Sequence, residues 1–473
     1  MTQVTASPCS PLADGLTRAA PSQRGIDAGA VLALLDDIEQ AGLELHTFML
    51  WRDGVVAEGW RWPYSATRPR MSHSMTKSIL ACAIGMLIES GQLALTDTVA
   101  SFFPEAGVMP GSHAGQMTVE DLLTMRSGHG AEVSGSVWRG ISTSWVAEFF
   151  KIPIPHPPGT VHVYSSAASY MLSAIVTRIT GETADEYLRP RLFEPLGMRD
   201  VRWDIGPDGI NPGGNGITFT TADGLKLGIL HAQHGIWNGQ RLLPQWWVEA
   251  ATRVHTADYG YHWVIGDTYY CALGQFVQAV IVYPEHGAVL AINAAMDESK
   301  VVLPHLKRHL PDAFTRGGSP DDDRKLAERL AGWAAVPRIA SEAPGDPAAL
   351  TGHWNVETNA LGIEALDLAF ADDGELRLTI GDGSIAAPRD GWREMRATLS
   401  APVLHHGYAL ANAPTVAGYR WTAQDAIELV LHFAETTFRD TLRIRRVGTA
   451  LELDRGVNIN SAARAWPTLR ATR

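Results

Sequence analysis

The chain has 473 residues, of which 45% are hydrophobic and 19% charged, with a formal net charge of -12. That composition fits a globular protein with large buried cores and excludes a disordered chain. The acidic balance and the lack of a Lys/Arg-rich run exclude general attraction to nucleic acid or anionic lipid.

The first 24 residues are rich in Ser, Pro, Ala and Thr and read as a flexible arm. No basic start followed by an apolar stretch occurs there, so no secretory signal is expected. No run is apolar enough to span a membrane, and the expected location is the cytoplasm. A first domain is expected over 25–314. It opens with a helix over 29–39, followed by a β-hairpin whose strands, 46–51 and 55–60, flank the turn Arg52-Asp53-Gly54. A buried helix is expected over 74–90, stopped by Gly91, and a capped helix start at 118–123. Another apolar helix is expected over 165–180, stopped by Gly181, then two strands over 274–293 turning at Pro284-Glu285-His286-Gly287. Residues 315–347 read as a linker with a short helix, Ser319 as its N-cap and Pro320 at its first position. From 348 to 473 apolar residues recur every second position, at Leu366, Leu368 and Phe370, at Leu376, Leu378 and Ile380, and at Ile427, Leu429, Leu431 and Phe433. That is a β-rich second domain, read as a small barrel.

The sharpest chemical feature is Ser74-Met75-Thr76-Lys77. Residues three apart share a helix face, so Lys77 is expected one turn above a serine at the helix's positive end. A serine hydroxyl is a poor nucleophile until a base takes its proton. A lysine serves as that base only where burial keeps it neutral, and the apolar run 79–88 supplies such surroundings. By itself the pattern more often marks an N-cap serine and a surface lysine. Tyr164-Ser165-Ser166 follows Pro157-Pro158-Gly159-Thr160 and opens a helix. The phenol there could pass a proton to a leaving group, or be an ordinary core tyrosine. Ala272-Leu273-Gly274-Gln275 precedes an apolar strand. Gly274 would let backbone approach a ligand, and the N–H groups of Ser74 and Gln275 could form an oxyanion hole. A plain strand entry is the alternative.

Other groups carry weaker signals. Cys9, Cys82 and Cys271 have no metal or disulfide spacing. Trp138, Trp145, Trp203, Trp237, Trp246, Trp247 and Trp263 read mostly as core. His231 and His234 read as polar helix residues and His405-His406 as a loop. No H-E-x-x-H, G-x-S-x-G or P-loop occurs, and neither metal nor cofactor is expected.

Together, in this order and spacing, the pieces over about 44–300 resemble the serine β-lactamase and penicillin-binding superfamily. Within it the chain looks most like the class C β-lactamase-related carboxylesterases, D-aminopeptidases and 6-aminohexanoate-oligomer hydrolases. The stretches Leu122-Leu123-Thr124-Met125-Arg126-Ser127-Gly128 and Phe193-Glu194-Pro195-Leu196-Gly197-Met198 are similar to the family's text around the tyrosine motif. Gly213-Gly214-Asn215-Gly216-Ile217 and Tyr259-Gly260-Tyr261-His262-Trp263 look like its later landmarks.

The resemblance implies Ser74 as nucleophile, Lys77 as base and Tyr164 as proton-transfer partner. It makes Ser166, Ala272 and Gly274 supporting or substrate-binding positions. Two positions depart from the family pattern. Its tyrosine motif usually ends in Asn where this chain has Ser166, a single rotating hydroxyl. Its third motif usually begins with Lys or His where this chain has Ala272, which removes a charge-assisted contact to a substrate carboxylate. The expected substrate is therefore a small molecule or short peptide carrying an ester, or an amide without a carboxylate near the reacting bond. An acyltransferase on the same scaffold and a non-catalytic peptide-binding module are the alternatives.

The expected fold is an α/β (α+β) sandwich, an antiparallel sheet flanked by helices with a helical subdomain, followed by an all-β, lipocalin-like domain. That last domain is expected either to wall off the cleft or to make a homodimer.

Overall fold

A computed structural model describes residues 13–132, 136–399, 404–408 and 410–473, and the side chains of all of these except 136, 137 and 406. Cys9 lies outside the described residues. Cys82 and Cys271 are free thiols buried in apolar surroundings. Among the described residues no helix is long and apolar enough to cross a membrane.

Asp27 caps α1 (Ala28–Gln40) by accepting from the N–H groups of Gly29 and Ala30. The expected hairpin follows as β1 (Glu44–Trp51) and β2 (Val55–Trp60). Next comes α2 (Thr76–Glu89), buried on nearly every face, which is why its sequence is almost continuously apolar. The turn ahead of it, His73–Met75, is a 3-10 helix. Ser165 caps α3 (Ser166–Thr180), and Gly181 ends it at φ 73 in the left-handed region. A capping box of Thr220 and Asp223 starts α4 (Thr221–Ala232), a helix the apolar spacing did not announce.

Strands β3 (Val264–Ile265), β4 (Tyr270–Gly274), β5 (Gln278–Tyr283) and β6 (Ala288–Ala295) complete an antiparallel sheet in the order β2-β1-β6-β5-β4-β3. Alternate side chains enter two different cores. Met49, Val280, Val282 and Val289 pack with α2, α3 and α4, while Leu50, Ile281 and Leu290 pack with α1 and α5 (Leu303–Ala313). Both faces are covered, so the strands read as unbroken apolar runs. Shorter helices, among them Val119–Leu123, Trp145–Phe149 and Ala184–Leu188, form the helical part beside α3.

The segment 315–347 carries α6 (Pro320–Ala331), capped by Ser319. Leu326, Leu330 and Trp333 join the core beneath α1, so this stretch is docked on the first domain instead of hanging as a tether. Residues 14–24 are docked as well. Arg18 pairs with Asp14 and Glu58, and the backbone of Thr17 and Ala19 exchanges hydrogen bonds with Val55.

The C-terminal domain is a ten-stranded antiparallel sheet made of β7 (Gly352–Val356), β8 (Ala365–Phe370), β9 (Leu376–Ile380), β10 (Gly383–Ala387), β11 (Arg393–Ala397), β12 (Ala413–Ala423), β13 (Ala426–Phe433), β14 (Arg439–Val447), β15 (Ala450–Val457) and β16 (Leu469–Thr472). The order is β10-β9-β8-β7-β16-β15-β14-β13-β12-β11. Arg389, just beyond β10, bridges Tyr419 on β12, so the sheet curls into a nearly closed barrel. Its alternating Leu and Ile side chains point inward, as the period of two requires. The turn between β13 and β14 docks on the first domain: Met71 N–H donates to the Glu435 carbonyl at 2.8 Å, and Arg439 pairs with Glu44.

Candidate active site

The site lies where the start of α2, the start of α3 and the end of β4 meet. His73, at φ 50, turns the chain sharply into the 3-10 turn that presents Ser74. Non-glycine residues in the left-handed region are strained and concentrate at functional sites. Ser72 anchors the turn from below, its hydroxyl donating to the Ile217 carbonyl at 2.8 Å. One helical turn after Ser74, Lys77 is 1% exposed. Its Nζ lies 3.4 Å from Ser74 Oγ, 3.1 Å from Ser166 Oγ and 2.9 Å from the Gly214 carbonyl. None of these partners is a carboxylate.

Tyr164 is half-buried, and Lys77 Nζ stands 4.6 Å from the centre of its ring. Its segment is held by the Val163 N–H donating to the Met125 carbonyl at 2.8 Å. Tyr259 meets Tyr164 edge-on, with ring centres 6.2 Å apart. Burial, with Tyr164 and Asp258 nearby, raises the Tyr259 phenol well above its ordinary value. Beneath Lys77, burial lowers His262 to about 3, and its Nε2 lies 3.2 Å from Ser169 Oγ.

Gly274 is required where it stands. A Cβ there would lie 2.3 Å from the Ser72 carbonyl oxygen and 3.2 Å from the Ser74 nitrogen. Its hydrogen lets β4 close against the turn that carries Ser74, which brings Gln275 to the cleft. Ala272 is fully buried in the core and does not line the cleft; Leu273 and Gly274 do. Gly214 is tight in the same way, because a Cβ there would lie 2.6 Å from that of Ser166.

Ser74, Tyr164, Ser166, Gly274 and Gln275 therefore share one cleft of about 520 Å³. Other lining residues have no expected role: His162, an ion pair of Asp258 with Lys300, and Asn215 and Tyr259, which lie inside the landmark stretches. His405, expected in an ordinary loop, lines this cleft together with Ser461, and its Nδ1 lies 2.6 Å from the Ser461 hydroxyl. The C-terminal domain thus walls one side of the cleft. His231 is buried in α4, its Nδ1–H donating to the Leu227 carbonyl at 2.8 Å. Of the tryptophans, Trp138 and Trp145 reach a small pocket behind Ser166, and Trp246 is partly exposed. Among the described residues no group of three His, Cys, Asp or Glu side chains could hold a metal ion.

Comparison with known proteins gives the chain's relatives. Protein Rv1367c of Mycobacterium tuberculosis is 28% identical over 183 residues, covering 34% of this chain and 45% of that protein. Penicillin-binding protein 4 of Amycolatopsis lactamdurans is 27% identical over 203 residues, covering 36% of this chain and 53% of that protein. The chain thus spans about half the length of these relatives. Among solved structures, that of SurE superposes with a TM-score of 0.50 at 17% identity, covering 94% of this chain and 98% of that one. The fold likeness therefore extends through the C-terminal barrel. Residues 35–308, more than half of the sequence, match the family described as Beta-lactamase, and the chain belongs to that family.

Proposed function

We propose that the protein is a serine hydrolase that cleaves an ester or an amide through an acyl-enzyme on Ser74. The carrying observation is Lys77, buried at 1% exposure with its Nζ 3.4 Å from Ser74 Oγ. Its other two partners, the Ser166 hydroxyl and the Gly214 carbonyl, fix its position without supplying a counter-charge. Lys77 takes the Ser74 proton and the oxygen attacks the substrate carbonyl. The N–H groups of Ser74 and Gln275 hold the resulting oxyanion. Tyr164 protonates the departing alcohol or amine, and water then attacks the acyl group to release the acid.

The cleft admits a small molecule or short peptide. Ala272 supplies no cation to the cleft, and the Lys300 that lines it is paired with Asp258, so the favoured substrate has no carboxylate beside the reacting bond. The test is a screen of nitrophenyl esters, anilides and short peptides, D-residues included, with wild type and Ser74→Ala. Turnover by wild type that vanishes in S74A supports the proposal; turnover retained in S74A refutes it. Product analysis with added amines reports whether the acyl group also passes to a nucleophile other than water.

A further inference from the structure

Between Gly274 and Gln278 the chain does something unusual for residues with side chains. Phe276 and Val277 stand at φ 59 and φ 64, consecutively in the left-handed region. That conformation is disfavoured by the Cβ of any L-residue, most of all for β-branched valine. Both side chains are fully buried, but in different cores. Val277 packs beneath the sheet of the first domain with Cys271 and Ile281. Phe276 crosses into the core of the C-terminal barrel, its ring 5.9 Å from Phe438 and 5.1 Å from His405. The backbone between is tied down too, because the Gln278 side-chain amide lies within 3.4 Å of the carbonyls of Gln275, Phe276 and Ala294.

This clasp sits beside both donors of the oxyanion hole. Gln275 immediately precedes Phe276. On the other side the Phe276 ring meets His73 edge-on at 5.6 Å, and His73 immediately precedes Ser74. One aromatic side chain, gripped by the second domain, therefore follows one donor residue in sequence and packs on the residue that precedes the other. We propose that Phe276 is a positioning residue through which the C-terminal β domain sets the oxyanion hole of the first domain. This rests on the reading of Ser74 as nucleophile. A preorganised donor stabilises charge only if it is aimed before reaction, so releasing the ring should slow chemistry more than binding.

The test compares wild type, Phe276→Ala, Phe276→Leu and Ser74→Ala. It measures the rate at which a fluorophosphonate labels Ser74, the kcat and KM for p-nitrophenyl acetate, and the affinity for phenylboronic acid. In F276A, labelling and kcat are expected to fall about 10–100-fold and boronate affinity by a similar factor, with KM within about threefold of wild type. F276L should recover only part of the loss, labelling about 3–10-fold more slowly than wild type. Should F276A fail to fold, F276L and Phe438→Leu carry the test, with labelling about 3–10-fold slower in protein that circular dichroism shows to be folded at the assay temperature. Wild-type labelling rates in these variants, or a loss confined to KM, would overturn the proposal. If S74A labels and turns over like wild type, the nucleophile reading fails and this proposal falls with it. If S74A is inert and F276A matches wild type, only the role of Phe276 falls.

Discussion

On one side of the cleft, Ser74, Lys77 and Ser166 project from the first turns of α2 and α3; on the other, His405 and Ser461 project from the C-terminal barrel. The first side is built by local rules, in which a helical turn sets Lys77 beside Ser74 and the Ser165 cap orients the start of α3. The second side is built only by packing, through Phe276 in the barrel core and the strand turn 433–438 against Met71 and Ala294. Chemistry is concentrated in the local side and shape in the distant one. A second buried lysine sharpens the contrast: Lys226 is as hidden as Lys77, but it lies 3.3 Å from the Asp223 carboxylate and 3.1 Å from the Gly197 carbonyl. That is a structural ion pair, whereas Lys77 faces the Ser74 hydroxyl and no carboxylate.

The largest effects should therefore come from the local side. Lys77→Ala is expected to lower kcat/KM by about 10³–10⁴-fold and Tyr164→Phe by about 10²–10³-fold, both with a folded protein by circular dichroism. Retention of activity in K77A would end the distinction drawn between the two lysines. In the barrel, Asp440 and Arg455 form a buried pair at 2.9 Å, exposed 1% and 4%. Asp440→Ala removes the buried carboxylate that faces the Arg455 guanidinium and should cost about 3–5 kcal/mol in urea unfolding. The folded fraction of D440A should still turn over substrate, because this pair lies outside the cleft.

Acid should weaken the first domain in a defined direction. Burial lowers His46 and His231 to about 4 and His262 to about 3, against an ordinary 6.5. The unfolded chain takes up these protons first, so the stability is fully present above about pH 6.5. It is lost as pH falls towards 4, by up to about 1.4 kcal/mol per pH unit for each histidine. Thermal unfolding between pH 7 and 5 reads this; a melting temperature that rises on acidification would contradict it. The smallest effect belongs to the distant wall, where Ser461→Ala removes the partner of His405 and should change KM by at most about fivefold, with kcat nearly unchanged.

The same contrast explains what could be read in advance. The hairpin 44–60, the Ser-x-x-Lys turn, the capped helix after Tyr164 and the period-two strands beyond 350 are each specified by neighbours in the chain, so their residues announce them. The Asp258–Lys300 pair, His162 and the His405–Ser461 wall have no such signature, because they enter the cleft through contacts between segments far apart in sequence; Gly214 and Asn215 show only as a landmark without a role. Residues 320–333 read as part of a linker because the apolar stripe of a surface helix does not reveal which core it will join. Ala272 fits the third motif by position, but its small side chain is absorbed into the core and leaves Leu273 and Gly274 to face the cleft.

Intact-protein mass spectrometry after fluorophosphonate treatment tests the central claim most directly. A single adduct is expected, mapped by peptide digestion to Ser74, absent in S74A and formed at least about 100-fold more slowly in K77A. Labelling at another residue, or labelling of K77A at the wild-type rate, would contradict the account.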